Sequence, residues 1–433
     1  MRVFKPFIVL TLFLVLSTNR IASSQSQSSE SELPIVLKFE QLTQLRDDLR
    51  DIVETEQLAN LSFEVWQNNR LVRAGFFGPV SEQNSDTVSD DTIQRIYSLT
   101  KPVTAVGLLI LMERSEFRLD DPITKFLPEF EKTEVLADSD PNGDFYTYRP
   151  PRPPTMAQLL SHTAGLAYGG EALGPVNQRL RDHGVQSAAD LQTLTNIVSG
   201  VPYISAPGAE WNYSVASDLQ GAIIERISGE SLDNFLKREV FDPLGMVDTS
   251  FYVESEDLSR VSGITERSDN GFVYLDAEDP TKDAQSEMYY EGGHGLFSTQ
   301  RDYARFLALL GNKGELDGVR LLEPDTVSQL ATNAVQYRGA PSAMRGRGVR
   351  AGLGFGFGVA VLENRHVTEM SAPRGTYYWY SAKGNWFWVD PVNHITFIGM
   401  LQTESDLDVD PIRLSMRHIY GPVELPDTAS SSR

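Results

Sequence analysis

The sequence predicts a mixed α/β fold, with strands near both ends of the chain and helices between them. Three stretches carry that expectation. Leu42, Leu45, Leu49, Ile52 and Val53 recur at helical spacing, which makes residues 39–57 an amphipathic helix. "LSFEVWQ" and "LVRAGFFG" flank Asn68-Asn69 and read as a hairpin. "GFGFGVAVLE", "TYYWYSAKGNWFWVD" and "HITFIGMLQ" read as three further strands near the other end. A length of 433 residues exceeds one average domain, and a single large α/β unit with an inserted helical part fills it.

The remaining elements follow in order. Arg2 and Lys5, the apolar run "PFIVLTLFLVL" and the small residues of "IASSQ" make residues 1–24 a secretory signal, so the expected location is secreted or periplasmic; an uncleaved anchor is the alternative. Residues 25–33 are a polar tether. Residues 34–425 form the main domain, its helical insertion spanning about 103–330, and residues 426–433 a disordered tail.

Ile93 and Ile96 form a short extended lead-in to Ser98, after which Val103, Val106, Leu108, Leu109 and Met112 continue a helical stripe. Pro102 fits the first turn of that helix, where its missing N–H had no partner. Residues 131–154, with five prolines, read as a loop. Thr155-x-x-Gln158 is a capping box before a short helix that Gly165 can stop. The Pro207-Gly208 turn precedes Tyr213 and a helix carrying Leu219, Ile223 and Ile227, and Leu232, Phe235 and Leu236 read as core. Residues 253–289 are acidic and irregular, a surface loop, after which Thr299 caps a helix ended by Gly311. Arg338, Arg345, Arg347 and Arg350 lie among glycines, either as a solvated loop or as a flap attracting anionic substrates. The final "DPIRLSMRHIY" is a helix packing on the sheet.

Composition narrows the function. A hydrophobic fraction of 41% with 22% charged residues is ordinary for a globular chain. The formal charge of −21 disfavours nucleic acid and anionic membrane surfaces as partners. With no cysteine, disulfides, thiolate nucleophiles, cysteine zinc sites and a lipid-modified cysteine are all excluded. The six histidines form no H-E-x-x-H, and the chain has no G-x-S-x-G. The glycines of "GGHGLFST" lack the lysine of a phosphate-binding loop and read instead as close backbone approach. No metal and no cofactor are implied.

Ser98-Leu99-Thr100-Lys101 is the chemistry-bearing stretch. A serine and a lysine three residues apart on a helix share one face. At a helix N-terminus the unpaired N–H groups and the dipole favour negative charge on the serine oxygen. Burial would bring the lysine towards the neutral form that a base requires. The competing reading is a surface helix with a capping serine and a solvated lysine. Tyr213-Ser214-Val215 supplies a second group, since a phenol beside a positive charge makes a proton relay; the competing reading is a core tyrosine.

With its phrases "RIYSLTKPVTAV", "LDDPITKFLPEF", "LLSHTAGL" and "PLGMVDT", the chain resembles the serine β-lactamase and penicillin-binding-protein superfamily, in its esterase-like branch. The resemblance implies a β-lactamase-like fold: an antiparallel sheet built from both chain ends, flanked by helices, with an inserted all-α region. It implies Ser98 as nucleophile, Lys101 and Tyr213 as the proton-handling pair, and His162 as a packing residue rather than a triad member. Where amide-processing members have Tyr-x-Asn, Val215 can neither donate nor accept, which favours an ester. Trp379-Tyr380-Ser381-Ala382 stands where the branch has Trp-Gly-Gly and a small residue. That alignment implies the N–H groups of Ser98 and Ala382 as the oxyanion hole, with Trp379 an apolar wall in place of a carboxylate-binding cation. Lys383 competes for that place under a register slipped by one residue. Trp379, Val215, Ser381 and His294, at the pocket rim, are the expected substrate contacts. The expected activity is acyl-enzyme hydrolysis of a small ester or other acyl compound. Its rivals are a D-alanyl peptidase or β-lactamase, and an inactive relative that only binds acyl compounds.

Overall fold

The computed structural model describes residues 35–55, 57–140, 143–170, 172–275, 290–335 and 351–423. The expected signal, tether, tail and domain ends, the arginines 338–350 and residues 276–289 of the acidic stretch lie outside the described residues.

An apolar stripe that must be covered builds the amino-terminal layer. Helix Phe39–Thr55 buries Leu42, Leu45, Leu49 and Ile52. The hairpin follows as Leu61–Gln67 and Arg70–Phe77. Asn68 and Asn69 turn it with φ of 51° and 59°, the left-handed values that a tight two-residue hairpin demands.

Both chain ends meet in one antiparallel sheet. Its seven strands run in the order Leu353–Phe355, Ala360–Leu362, Tyr377–Tyr380, Trp386–Asp390, Ile395–Met400, Leu61–Gln67, Arg70–Phe77. The first described strand pairs with the last, from Ser62 opposite Met400 to Gln67 opposite Ile395. Side-chain alternation assigns the two covering layers. Phe387 packs its ring at a tilt against Tyr303 of helix Gln300–Gly311, whereas its neighbour Trp388 donates its indole N–H to Ser415 of helix Pro411–Tyr420. Helix Thr100–Glu113 is buried from Thr100 to Leu111 and packs on helix Ala216–Ser228, as a helix apolar all round must. No described helix is long and apolar enough to cross a membrane.

Several expectations need correction. The three carboxy-terminal strand candidates are five strands. "GFGFGVAVLE" turns back at Gly358, with φ of 80°. "TYYWYSAKGNWFWVD" turns back at Gly384, with φ of 102°, and Ser381 N–H closes that turn on Asn385 O at 2.8 Å. Residues 131–154 are not all loop: Val135–Ser139 pairs with Phe145–Tyr148, whose aromatic and β-branched side chains suit a strand. The acidic stretch likewise contains the ribbon Thr265–Ser268 with Gly271–Tyr274. The insertion is therefore mainly helical rather than purely so, and helix Gln300–Gly311 within it belongs to the main sheet.

The capping box formed by Thr155 and Gln158 is present, but Gly165 is not the helix stop: the helix ends at Leu160, Ser161 follows it, and His162 takes the left-handed conformation with φ of 55°. Gly165 has φ of 83°, and a Cβ there would lie 2.2 Å from Ser205 O. Gly165→Ala is expected to cost more than about 2 kcal/mol from strain and steric conflict together. Chemical denaturation checks this; a loss below about 0.5 kcal/mol would show that the turn yields.

Candidate active site

Ser98 sits in the single turn Tyr97–Leu99 that runs into helix Thr100–Glu113. Strand Ile93–Arg95 delivers it, pinned by pairing with Phe297–Thr299. Tyr97 redirects the chain with φ of 45°, a left-handed value that costs a non-glycine residue about 1 kcal/mol or more. Ser98 thus lies in the turn that opens the helix, where the Leu99 N–H is taken by Ile96 O at 3.0 Å and the Thr100 N–H by Tyr97 O.

Lys101 lies one turn on, buried to 1% exposure. Its Nζ is 3.4 Å from Ser98 Oγ and donates to Gly293 O at 2.6 Å. Burial lowers the ammonium pKa, against the opposing pull of Tyr168, Asp218 and Glu291. The Tyr213 hydroxyl donates to Ser98 Oγ at 2.9 Å, and the Tyr213 ring centroid is 4.7 Å from Lys101 Nζ. The structure therefore brings the hydroxyl, the amine and the phenol together around one oxygen.

Tyr213 is held by a cage of rings. His162, Trp211 and Trp379 have centroids 5.2, 6.2 and 5.5 Å from its own. His162 is buried, and burial, then the charge of Lys101, pulls its pKa down to about 3. Its Nδ1 accepts the Ser214 N–H at 3.2 Å, which assigns the proton to Nε2. It is a neutral packing residue that fixes the segment carrying Tyr213. Tyr168 closes another side with its ring 5.3 Å from Tyr213, and burial pushes its phenol up to about 12.

The other expected residues divide. Trp379 is 4% exposed and forms an aromatic wall against Tyr213 and Phe355. Ala382 is exposed in the turn after that strand, and its N–H donates to no group among the described residues. Ser381, expected to touch substrate, is buried instead: its Oγ accepts from Asn385 N and Nδ2, both at 3.1 Å, so it braces the turn from within. Asn385 Nδ2 also reaches Arg95 O at 3.0 Å, tying that turn to the strand before Ser98. Lys383 is paired with Glu404 and lies 5.8 Å from the Tyr97 ring centroid. Val215 is buried and, with Tyr168, Asp218 and His294, lines a cavity of about 20 Å³. His294 pairs with Glu291 at 2.6 Å and, although burial opposes it, Glu291 and Asp218 raise the imidazole pKa on balance. A cavity of about 270 Å³ lies elsewhere, between Asp233 and Phe251, and contains none of these side chains. Among the described residues no group of three or more acids and histidines could hold a metal ion.

Sequence reasoning missed Asp218, which is 3% exposed and accepts the Gly293 N–H at 2.9 Å. The available signal was an acid one turn after Val215 and one turn before Ala222, on the apolar face of a helix.

A family model described as Beta-lactamase matches residues 45–417. An uncharacterized protein of Mycobacterium tuberculosis is 30% identical over 371 residues, spanning 84% of this chain and 90% of its own. Esterase EstB of Burkholderia gladioli is 29% identical over 350 residues, 76% of this chain and 82% of its own. Among solved structures, EstCE1, described as a hydrolase with promiscuous acyltransferase activity, superposes with a TM-score of 0.74 at 23% identity, covering 88% of this chain and 99% of its own. That likeness concerns the fold.

Proposed function

The chain belongs to the Beta-lactamase family, and we propose that within it this protein is an exported serine hydrolase that cleaves carboxylic esters through an acyl-enzyme on Ser98. The observation that carries the reading is the placement of Ser98 Oγ between Lys101 Nζ at 3.4 Å and the Tyr213 hydroxyl at 2.9 Å. Likeness to an esterase over 76% of the chain supports the substrate class.

In this mechanism neutral Lys101 takes the Ser98 proton, with the Tyr213 hydroxyl as relay, while Oγ forms a bond to the ester carbonyl carbon. The N–H groups of Ser98 and Ala382 hold the developing oxyanion. Collapse breaks the bond to the leaving alcohol, which departs with the proton. Water, or a second alcohol, then attacks the acyl carbon and the same groups return the proton to Ser98. Burial of Lys101 favours the unprotonated amine that the first step needs.

The ester is preferred to an amide or β-lactam on three counts. Val215 is an apolar, buried residue where an amide-reading side chain would stand. Trp379 supplies a wall rather than a cation, and Lys383 is engaged by Glu404. Turnover of p-nitrophenyl butyrate is accordingly expected to exceed that of nitrocefin by at least ~100-fold in kcat/KM. Comparable turnover of the two would favour the amide reading.

A further inference from the structure

Asp218 takes no proton from Ser98 in that mechanism, yet it ends a continuous chain of contacts to Lys101. Its Oδ1 accepts the Gly293 N–H at 2.9 Å. The other end of the same peptide, Gly292 O, accepts the Thr104 hydroxyl at 2.7 Å, and Thr104 lies one helical turn beyond Lys101. The next carbonyl, Gly293 O, takes Lys101 Nζ at 2.6 Å. One peptide is thus gripped from two helices, Thr100–Glu113 and Ala216–Ser228, and the carbonyl beside it orients the amine. Only glycines allow this approach. A Cβ at position 292 would lie 2.5 Å from Ser217 O, and one at 293 would lie 2.8 Å from Asp218 Oδ2.

We propose that Asp218 is a positioning residue for Lys101, acting through the Gly293 backbone and through its own charge. The inference rests on the ester-hydrolase reading and adds to it the group that sets the geometry and proton affinity of the base. A buried carboxylate this close to the amine works against burial by favouring the charged form of Lys101. The other groups facing the amine are Tyr168, Tyr213, Glu291, His294 and the neutral His162, and Asp218 itself is raised by burial, with His294 and Lys101 pulling the other way. Asp218 and Glu291 therefore set how far down in pH Lys101 stays neutral.

The test uses the full chain with p-nitrophenyl butyrate and compares two near-isosteric variants. Asp218→Asn keeps an oxygen for the Gly293 N–H and removes the charge. The charge raises the lysine pKa, so its loss lowers that pKa, and the acid limb of kcat/KM is expected to move to lower pH by about one unit with KM little changed. Thr104→Val releases the other end of the peptide without altering charge; kcat is expected to fall about tenfold with the acid limb in place. An Asp218→Asn profile that superimposes on the parent's, or moves to higher pH, overturns the electrostatic part. Unchanged kcat in Thr104→Val overturns the backbone part. Should Asp218→Asn fail to fold, Asp218→Ser, smaller and likewise uncharged, takes its place, with the same expected shift of the acid limb and the same overturning result. Failure of the parent to acylate Ser98 would instead sink the ester-hydrolase reading, so the two failures are distinguishable.

Discussion

Lys101→Met is expected to leave a folded protein whose Ser98 is acylated about 10³ to 10⁴-fold more slowly, the upper part of the range for losing a positioned general base. That is about 4 to 5 kcal/mol of transition-state stabilisation. The fold should survive because the side chain is only 1% exposed and an unbranched thioether of similar length fills its space. The cost is an unsatisfied Gly293 carbonyl, about 1 to 3 kcal/mol, offset in part because no amine need be desolvated. Labelling of Ser98 by a fluorophosphonate probe measures the rate, and thermal unfolding measures the fold. The acid limb of the pH profile should vanish with the amine. Labelling at the parental rate would remove Lys101 from the mechanism.

Tyr213→Phe isolates the second group proposed to handle the proton. The ring keeps its contacts with His162, Trp211 and Trp379, so the cage stays filled, and only the hydroxyl 2.9 Å from Ser98 Oγ is lost. An interaction made in the transition state and absent from substrate binding lowers kcat and leaves KM. The expected change is about 10²-fold in kcat for p-nitrophenyl butyrate at constant KM. A rise in KM at constant kcat would make Tyr213 a binding wall instead. His162 cannot substitute as the base: with its pKa pulled down to about 3 by burial it holds a proton too weakly, and its Nδ1 is occupied by the Ser214 N–H.

Much of this was legible because its physical signals are local. The spacing of Ser98 and Lys101 forces them onto one helical face, and Asn68-Asn69 between two alternating runs demands a hairpin. What stayed hidden depends on partners far along the chain. The turns at Gly358 and Gly384 lie inside aromatic runs that read as unbroken strands, because glycine within such a run does not say whether a strand bends or reverses. Ser381 was expected to face substrate because residue type says nothing about which side of a turn a side chain takes; Asn385 claims it inwardly. Asp218 was missed for a related reason. A helical acid is usually solvated, and its burial follows only from Gly293, 75 residues away, presenting an N–H to it. The convergence of Tyr213 on Ser98 rested on family resemblance, since spacing alone cannot bring distant residues together.

The most direct test of the central claim is intact-mass spectrometry of the full chain mixed with p-nitrophenyl butyrate and quenched in acid at early times, followed by peptide mapping. The account predicts one butyryl adduct, located on Ser98 and decaying as the ester is consumed, and no adduct in Ser98→Ala. Ester turnover that persists in Ser98→Ala, or an adduct mapping to any other residue, would contradict it.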